Sequence, residues 1–228
     1  MRDSLNNYEK ILEEIEGIKK SVGRTDDVLL LAVTKIVDED LVRDFIGYGV
    51  TDIGENKVQD LEKRIEVFGD SVNYHLIGTL QRNKINKIIG KTKLIHSVDS
   101  IRLIDAIDKR SEREGVVTDF LVQLNISGEE TKSGFSEDEL EGFVKHIKEL
   151  KSVRLRGIMT MAPHVEDEAL IRSVFRRARE LKEKIQNDDQ SLAMDYLSMG
   201  MSHDYKIAVE EGSTILRLGT ILFGERNY

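Results

Sequence analysis

Lys35 follows an apolar run, Leu29-Leu30-Leu31-Ala32-Val33, with only Thr34 between. A lysine at the end of a buried strand is placed to lose solvation. Desolvation frees an amine to act as a nucleophile toward an aldehyde. The position equally suits a lysine that snorkels to solvent. Arg217 lies inside a second apolar string, Ile215-Leu216-Arg217-Leu218. A buried guanidinium needs a partner, either a carboxylate across the fold or an acceptor atom on a ligand. Two turns combine glycine with hydroxyls: Ser198-Met199-Gly200-Met201-Ser202 and Gly219-Thr220. Gly200 would let a ligand approach the backbone, and Ser202 would cap the next helix and offer its hydroxyl. As a pair the turns read as a phosphate cup; singly, each reads as an ordinary tight turn with its cap. Asn56 and His75 are weaker candidates, and each suits a satisfied interior polar group.

These residues need a frame. Short apolar strands are predicted over Val28–Thr34, Thr51–Ile53, Asn73–Gly78, Leu94–Val98, Thr118–Ile126, Arg154–Thr160, Asp195–Ser198 and Thr214–Leu218. Helical periodicity fills the intervals: Leu41, Val42, Phe45 and Ile46; Ile101, Ile104 and Ile107; Leu170, Val174, Phe175, Ala178 and Leu181. Ser136-x-x-Glu139 is a capping box, and Gly212 suits a helix stop. An amphipathic helix with Leu5, Tyr8, Leu12, Ile15 and Ile18 on one face precedes the first strand. Eight strands separated by seven helical segments imply a parallel sheet covered on both faces. Right-handed crossovers let eight such units close into a single (β/α)8 TIM barrel of the α/β class over residues 1–228. The tail after the eighth strand is too short for a normal last helix, so the N-terminal helix is expected to cover that gap. A doubly wound open sheet is the alternative, but its first βα turn would normally be glycine-rich. Here that turn is Thr34-Lys35-Ile36-Val37-Asp38. In a barrel, active residues sit at the C-terminal strand ends, and phosphate often binds at the turns after strands seven and eight. Lys35, Asn56, Ser202, Gly219 and Thr220 all fall at such ends.

Composition narrows the chemistry. The net charge is −8 and no cysteine is present. Disulfides, thiolate metal sites and cysteine nucleophiles are therefore excluded. An acidic balance argues against a general nucleic-acid surface, and the basic run Arg82, Lys84, Lys87, Lys91 and Lys93 reads as a solvated face. The five histidines show no close ligand spacing, so no metal site is expected. No apolar signal core opens the chain, and its longest apolar stretch is too short to span a bilayer. A cytoplasmic, monomeric protein without membrane contact is expected.

Several strings together carry a family resemblance. They are Ala32-Val33-Thr34-Lys35, Gly54-Glu55-Asn56, His75-x-Ile77-Gly78-x-Leu80-Gln81-x-Asn83-Lys84, Gln123-x-Asn125-Ile126, Lys132-Ser133-Gly134, Leu155-Arg156-Gly157-x-Met159-Thr160, Ser198-Met199-Gly200-Met201-Ser202 and Arg217-x-Gly219-Thr220-x-x-Phe223-Gly224. In this order the chain resembles the pyridoxal 5′-phosphate (PLP) homeostasis family, known as YggS/PROSC, whose barrel is similar to the N-terminal domain of alanine racemase. The resemblance implies PLP as cofactor, held as a Schiff base on Lys35. It implies that Ser202, Gly219 and Thr220 bind the phosphate with help from the Met199-Gly200 turn. It places Arg217 at the pyridine nitrogen and Asn56 near the ring. It implies PLP-requiring apoenzymes as candidate partners.

The implied role is control of PLP supply without an established turnover. PLP enzymes that use a full electron sink usually pair the ring nitrogen with an acid. An arginine there keeps the nitrogen unprotonated and weakens the sink. The related racemases carry a second β domain that supplies catalytic residues, and none is expected here. A PLP-dependent racemase or lyase is the alternative, with His203 and Tyr205 as candidate acid/base groups, although both suit the first turn of a helix. A nucleic-acid or protein-binding module is a third reading. One departure from the family concerns a proline that many relatives carry shortly after the lysine. Here Ile36-Val37-Asp38-Glu39 stands instead, which predicts a less rigid loop.

Overall fold

The structure, a computed structural model, describes residues 2–129 and 133–224, and side chains from residue 4 onward. Eight parallel strands close into a barrel in chain order: β1 (Leu29–Val33), β2 (Asp52–Glu55), β3 (Asn73–Leu76), β4 (Leu94–Val98), β5 (Thr118–Leu124), β6 (Val153–Thr160), β7 (Tyr196–Ser198) and β8 (Ile215–Leu218). Closure is direct, with Leu29 opposite Ile215 and Ala32 opposite Leu218. The open doubly wound sheet is thereby excluded. Strand β2 runs two residues past its expected end, because Gly54 and Glu55 pair with His75 and Leu76.

The helices are α1 (Arg2–Ser21), α2 (Glu39–Gly47), α3 (Val58–Phe68), α4 (Ile101–Glu114), α5 (Glu137–Ile147), α6 (Glu168–Asp188), α7 (Tyr205–Glu210) and α8 (Thr220–Phe223). Between β3 and β4 the crossover is only a short 3-10 helix, Arg82–Lys87. The third of the seven expected helical segments is thus reduced to a turn or two, in a stretch crowded with like charge and followed by Gly90 at φ 75°. The capping box forms as expected: the Ser136 N–H donates to Glu139 Oε2 at 2.8 Å. The last helix is a single turn, and α1 packs over it and over α7. A Glu14 carboxylate of α1 receives the Tyr205 hydroxyl and the Lys206 ammonium.

Alternation along each strand separates two cores. Outward strand residues such as Phe120 and helix residues such as Phe45, Phe143 and Phe175 are fully buried in the layer between sheet and helices. Burying each such ring stabilises the fold by roughly 1.5–3 kcal/mol. Inward residues form a smaller apolar cluster of Leu31, Leu94, Leu121, Met159 and Ile215. The rest of the inward set is unusually polar. Asp52, His75, His96, Ser198 and Arg217 all lie buried there, where barrels normally stack branched apolar side chains.

Candidate functional site

Lys35 stands just past β1, half-buried, on the same parity as the inward residues Leu29 and Leu31. Its loop is fixed from outside the barrel. Arg64 of α3 donates through Nη2 to the carbonyls of Thr34 at 3.0 Å and Val37 at 2.5 Å, so both flanks of Lys35 and Ile36 are held. The Arg64 Nε lies 3.2 Å from Glu55 Oε1, and the Thr34 hydroxyl donates to the same oxygen at 2.6 Å. Burial raises the Glu55 carboxyl above its usual range, and the bonds from Thr34 and Arg64 oppose that rise. The loop expected to be loose for want of a proline is therefore pinned by a guanidinium. Within it Ile36 takes φ 59°, a left-handed conformation costly for a β-branched residue. Strain of that kind, next to the candidate nucleophile, persists only where the surroundings hold it.

Asn56 follows β2, half-buried, on the inward parity of Asp52 and Gly54. Its carbonyl presses on the neighbouring turn: a Cβ on Gly78 would lie 2.2 Å from the Asn56 oxygen, so glycine is required there.

The turns after β7 and β8 are joined. The Ile221 N–H donates to Ser202 Oγ at 3.2 Å across nineteen positions of sequence. Ser202 is thus not the N-cap of α7. Asp204 takes that position, and its Oδ1 accepts the Met201 N–H at 2.6 Å. The expectation fails because α7 starts two residues later, leaving Ser202 to bridge the turns. Gly219 is half-buried at the start of α8, and Thr220 is exposed beside it. Met199 precedes the Ser202 turn. Its side chain is buried in the outer core, its N–H donates to Ile215, and its carbonyl accepts from Ser213. Gly200, at φ 93°, is demanded by packing: a Cβ would lie 2.5 Å from that of Ala208 and 2.9 Å from Leu216 Cδ2. That explains the glycine without a ligand, although it keeps the turn tight.

Arg217 is buried in the barrel interior, 5% exposed. Its Nη1 donates to Ser198 Oγ at 2.8 Å and its Nη2 to the Thr160 carbonyl at 3.0 Å. Among the described residues both hydrogen-bond partners are uncharged, so the carboxylate alternative fails. Burial pulls the guanidinium down to about 10, partly offset by the Asp204 charge.

The family model described as "Alanine racemase, N-terminal domain" matches residues 9–227. A pyridoxal phosphate homeostasis protein of Aquifex aeolicus (strain VF5) is 40% identical over 221 residues, covering 96% of each chain. The chain belongs to the pyridoxal phosphate homeostasis family. Two solved structures agree with its barrel. PipY of Synechococcus elongatus PCC7942, with PLP bound, superposes with a TM-score of 0.81 at 30% identity, covering 92% of this chain and 100% of its own. An uncharacterised protein of Bifidobacterium adolescentis gives a TM-score of 0.91 at 33% identity, covering 97% and 95%.

Of the strings that carried the homeostasis-family resemblance, Lys132 lies outside the described residues. Tyr205, weighed as an acid/base group, instead donates to Glu14 of α1. His203 packs edge-on against His164, ring centres 4.6 Å apart, and lies 3.2 Å from Asp204 Oδ2. Sequence spacing missed both this pair and the contact of His75 with His96, because neither lies within a single element. Among the described residues no group of three or more His, Cys, Asp or Glu is arranged for a metal ion, and no helix is long and apolar enough to cross a membrane.

Proposed function

We propose that this protein binds PLP at the C-terminal mouth of its barrel and serves intracellular PLP homeostasis. Bound there, PLP supplies an aldehyde and an electron-withdrawing ring. Lys35 would hold the cofactor covalently, offering its amine to that aldehyde. Ser202, Gly219 and Thr220 hold the phosphate through hydroxyls and N–H groups at the start of α8. Arg217 would offer donors to the pyridine nitrogen, and Asn56 would contact the ring. The observation that carries this reading is the Arg217 environment. Among the described residues this buried guanidinium donates to the Ser198 hydroxyl and the Thr160 carbonyl, which leaves N–H groups for an acceptor on a ligand. The joined turns of Ser202 and Ile221 supply the second contact point the cofactor needs. Relatives named for PLP homeostasis and a PLP-bound neighbour support the same assignment.

The protein holds PLP without turning over an amino acid. Arginine at the ring nitrogen weakens the electron sink, and Tyr205, engaged by Glu14, is not poised as a second acid/base. The whole of residues 1–228 acts as one barrel domain, as a monomer in the cytoplasm, with PLP-requiring apoenzymes as recipients. Borohydride reduction of the PLP-loaded protein followed by peptide mass spectrometry tests the linkage. A pyridoxyl label on Lys35 is expected, and a label on another lysine contradicts the site. Sustained racemisation or decarboxylation of amino acids by the loaded protein contradicts the non-catalytic role.

A further inference from the structure

The polar interior beneath Arg217 is a continuous chain. Arg217 Nη1 meets Ser198 Oγ at 2.8 Å, Ser198 Oγ meets His96 Nδ1 at 2.9 Å, His96 Nε2 meets His75 Nδ1 at 2.9 Å, and His75 Nε2 meets Asp52 Oδ1 at 2.9 Å. At the far end Asp52 also receives Lys93 Nζ at 2.8 Å and the Thr51 hydroxyl at 2.7 Å. Every ring and hydroxyl between the two ends is buried, His75 at 1% and His96 and Ser198 at 0% exposure. The chain takes one residue from each of five strands, from Asp52 at the N-terminal edge of β2 through β3, β4 and β7 to Arg217 in β8.

Its polarity is set by its ends. A guanidinium only donates and a carboxylate only accepts. With both imidazoles neutral, Asp52 must accept the His75 Nε2–H, so His75 Nδ1 is an acceptor. His96 must then carry its proton on Nε2, which makes its Nδ1 an acceptor for the Ser198 hydroxyl. Ser198 in turn accepts from Arg217. All four links are satisfied in one direction only. Burial first, then the His75 and Arg217 sites, hold His96 well below the usual imidazole range. Burial also holds His75 down, against the opposing pull of Asp52.

We infer that Asp52, His75, His96 and Ser198 are positioning residues, a one-way hydrogen-bond relay that fixes the plane of Arg217 toward the ring nitrogen of bound PLP. The inference rests on the PLP reading above for its purpose, though not for its geometry. The relay links Arg217 to the Asp52 carboxylate through uncharged groups, while the charge that offsets the guanidinium's burial is that of Asp204. A carboxylate on the guanidinium itself would occupy the N–H groups that the ligand needs. The two neutral imidazoles carry the orientation instead, and each is locked in one tautomer by the other.

Two measurements on the full chain test it. Long-range nitrogen–proton correlation spectra of the ligand-free protein at neutral pH read the ring tautomers. The relay requires His75 and His96 both neutral and both protonated on Nε2; an Nδ1–H tautomer or an imidazolium at either ring overturns it. Absorbance titration with PLP then compares wild type with Ser198→Ala, His96→Phe and His96→Gln. Loss of a hydrogen bond to a charged group predicts PLP binding weakened roughly tenfold or more, with a shifted visible band, in S198A and H96F. His96→Gln keeps one donor and one acceptor and is expected within roughly threefold of wild type. Circular dichroism checks each fold; if H96F does not fold, the near-isosteric S198A carries the comparison. Variants that match wild type in affinity and band position overturn the relay. A wild type that develops no band with PLP overturns the PLP reading instead, while the ring spectra still decide the relay's direction.

Discussion

Arg64 offers a direct way to perturb the loop that carries Lys35. Replacing it with methionine removes bonds to the carbonyls of Thr34 and Val37 and the contact with Glu55. Methionine keeps much of the stem's volume, so the cost comes from polar groups left behind. Glu55 is 0% exposed and its Oε2 already lacks a hydrogen-bond partner. Removing one partner of a buried pair typically costs 3–5 kcal/mol. We expect about 3–4 kcal/mol here, at the lower end, because Glu55 can take up a proton. That escape has a definite pH sign. A carboxyl whose folded pKa is raised favours the folded state at low pH, and this stability is lost as pH rises through the folded value. Without Arg64 the value rises further. Urea unfolding of Arg64→Met should therefore show a deficit about 1 kcal/mol smaller near pH 5 than near pH 7.5. Adding Glu55→Gln should restore at least half of the loss at neutral pH, since the uncompensated charge is gone. A deficit under about 0.5 kcal/mol, or a double variant no better than the single, would refute the clamp.

Other consequences follow from the same geometry. Gly200→Ala should cost about 2–3 kcal/mol in urea unfolding, because its Cβ collides with Ala208 and Leu216 at φ 93°; a neutral result would contradict the packing of β7 against α7. Ile36→Gly should leave the protein as stable or up to about 1 kcal/mol more stable, since the side chain is 63% exposed and its φ is 59°; a clear loss by thermal melting would mean that Ile36 is not strained. His75 and His96, held below the usual imidazole range by burial, contribute stability that is present above about pH 6.5 and lost as pH falls below it. Melting temperatures between pH 8 and 5 should fall on the acid side, and His96→Gln should flatten that fall.

Much of the frame was legible in the sequence because burial on both faces writes each strand as an apolar run. Leu94–Val98 matches to the residue, and Leu29–Val33 lies within one residue of each expected end. The short β2 was harder, since Gly54 and Glu55 read as turn residues and are drawn into the ladder only by pairing with His75 and Leu76. At the site, Lys35 and Arg217 stood out as charges attached to apolar strings. Their supports did not. Arg64 sits on an ordinary helix face, and nothing local tells that it reaches the carbonyls of Thr34 and Val37. His75 and His96 are twenty-one positions apart, and only the strand register turns them into neighbours. The cap expected at Ser202 fails for the same reason: which groups a turn leaves open depends on partners in other elements.

The central claim is that Lys35 holds PLP, and an absorbance titration with PLP of wild type against Lys35→Ala tests it most directly. A saturable visible band in the wild type, absent from the variant while its circular dichroism is unchanged, is the predicted result. A wild type that stays colourless, or a variant with the same band, would contradict it.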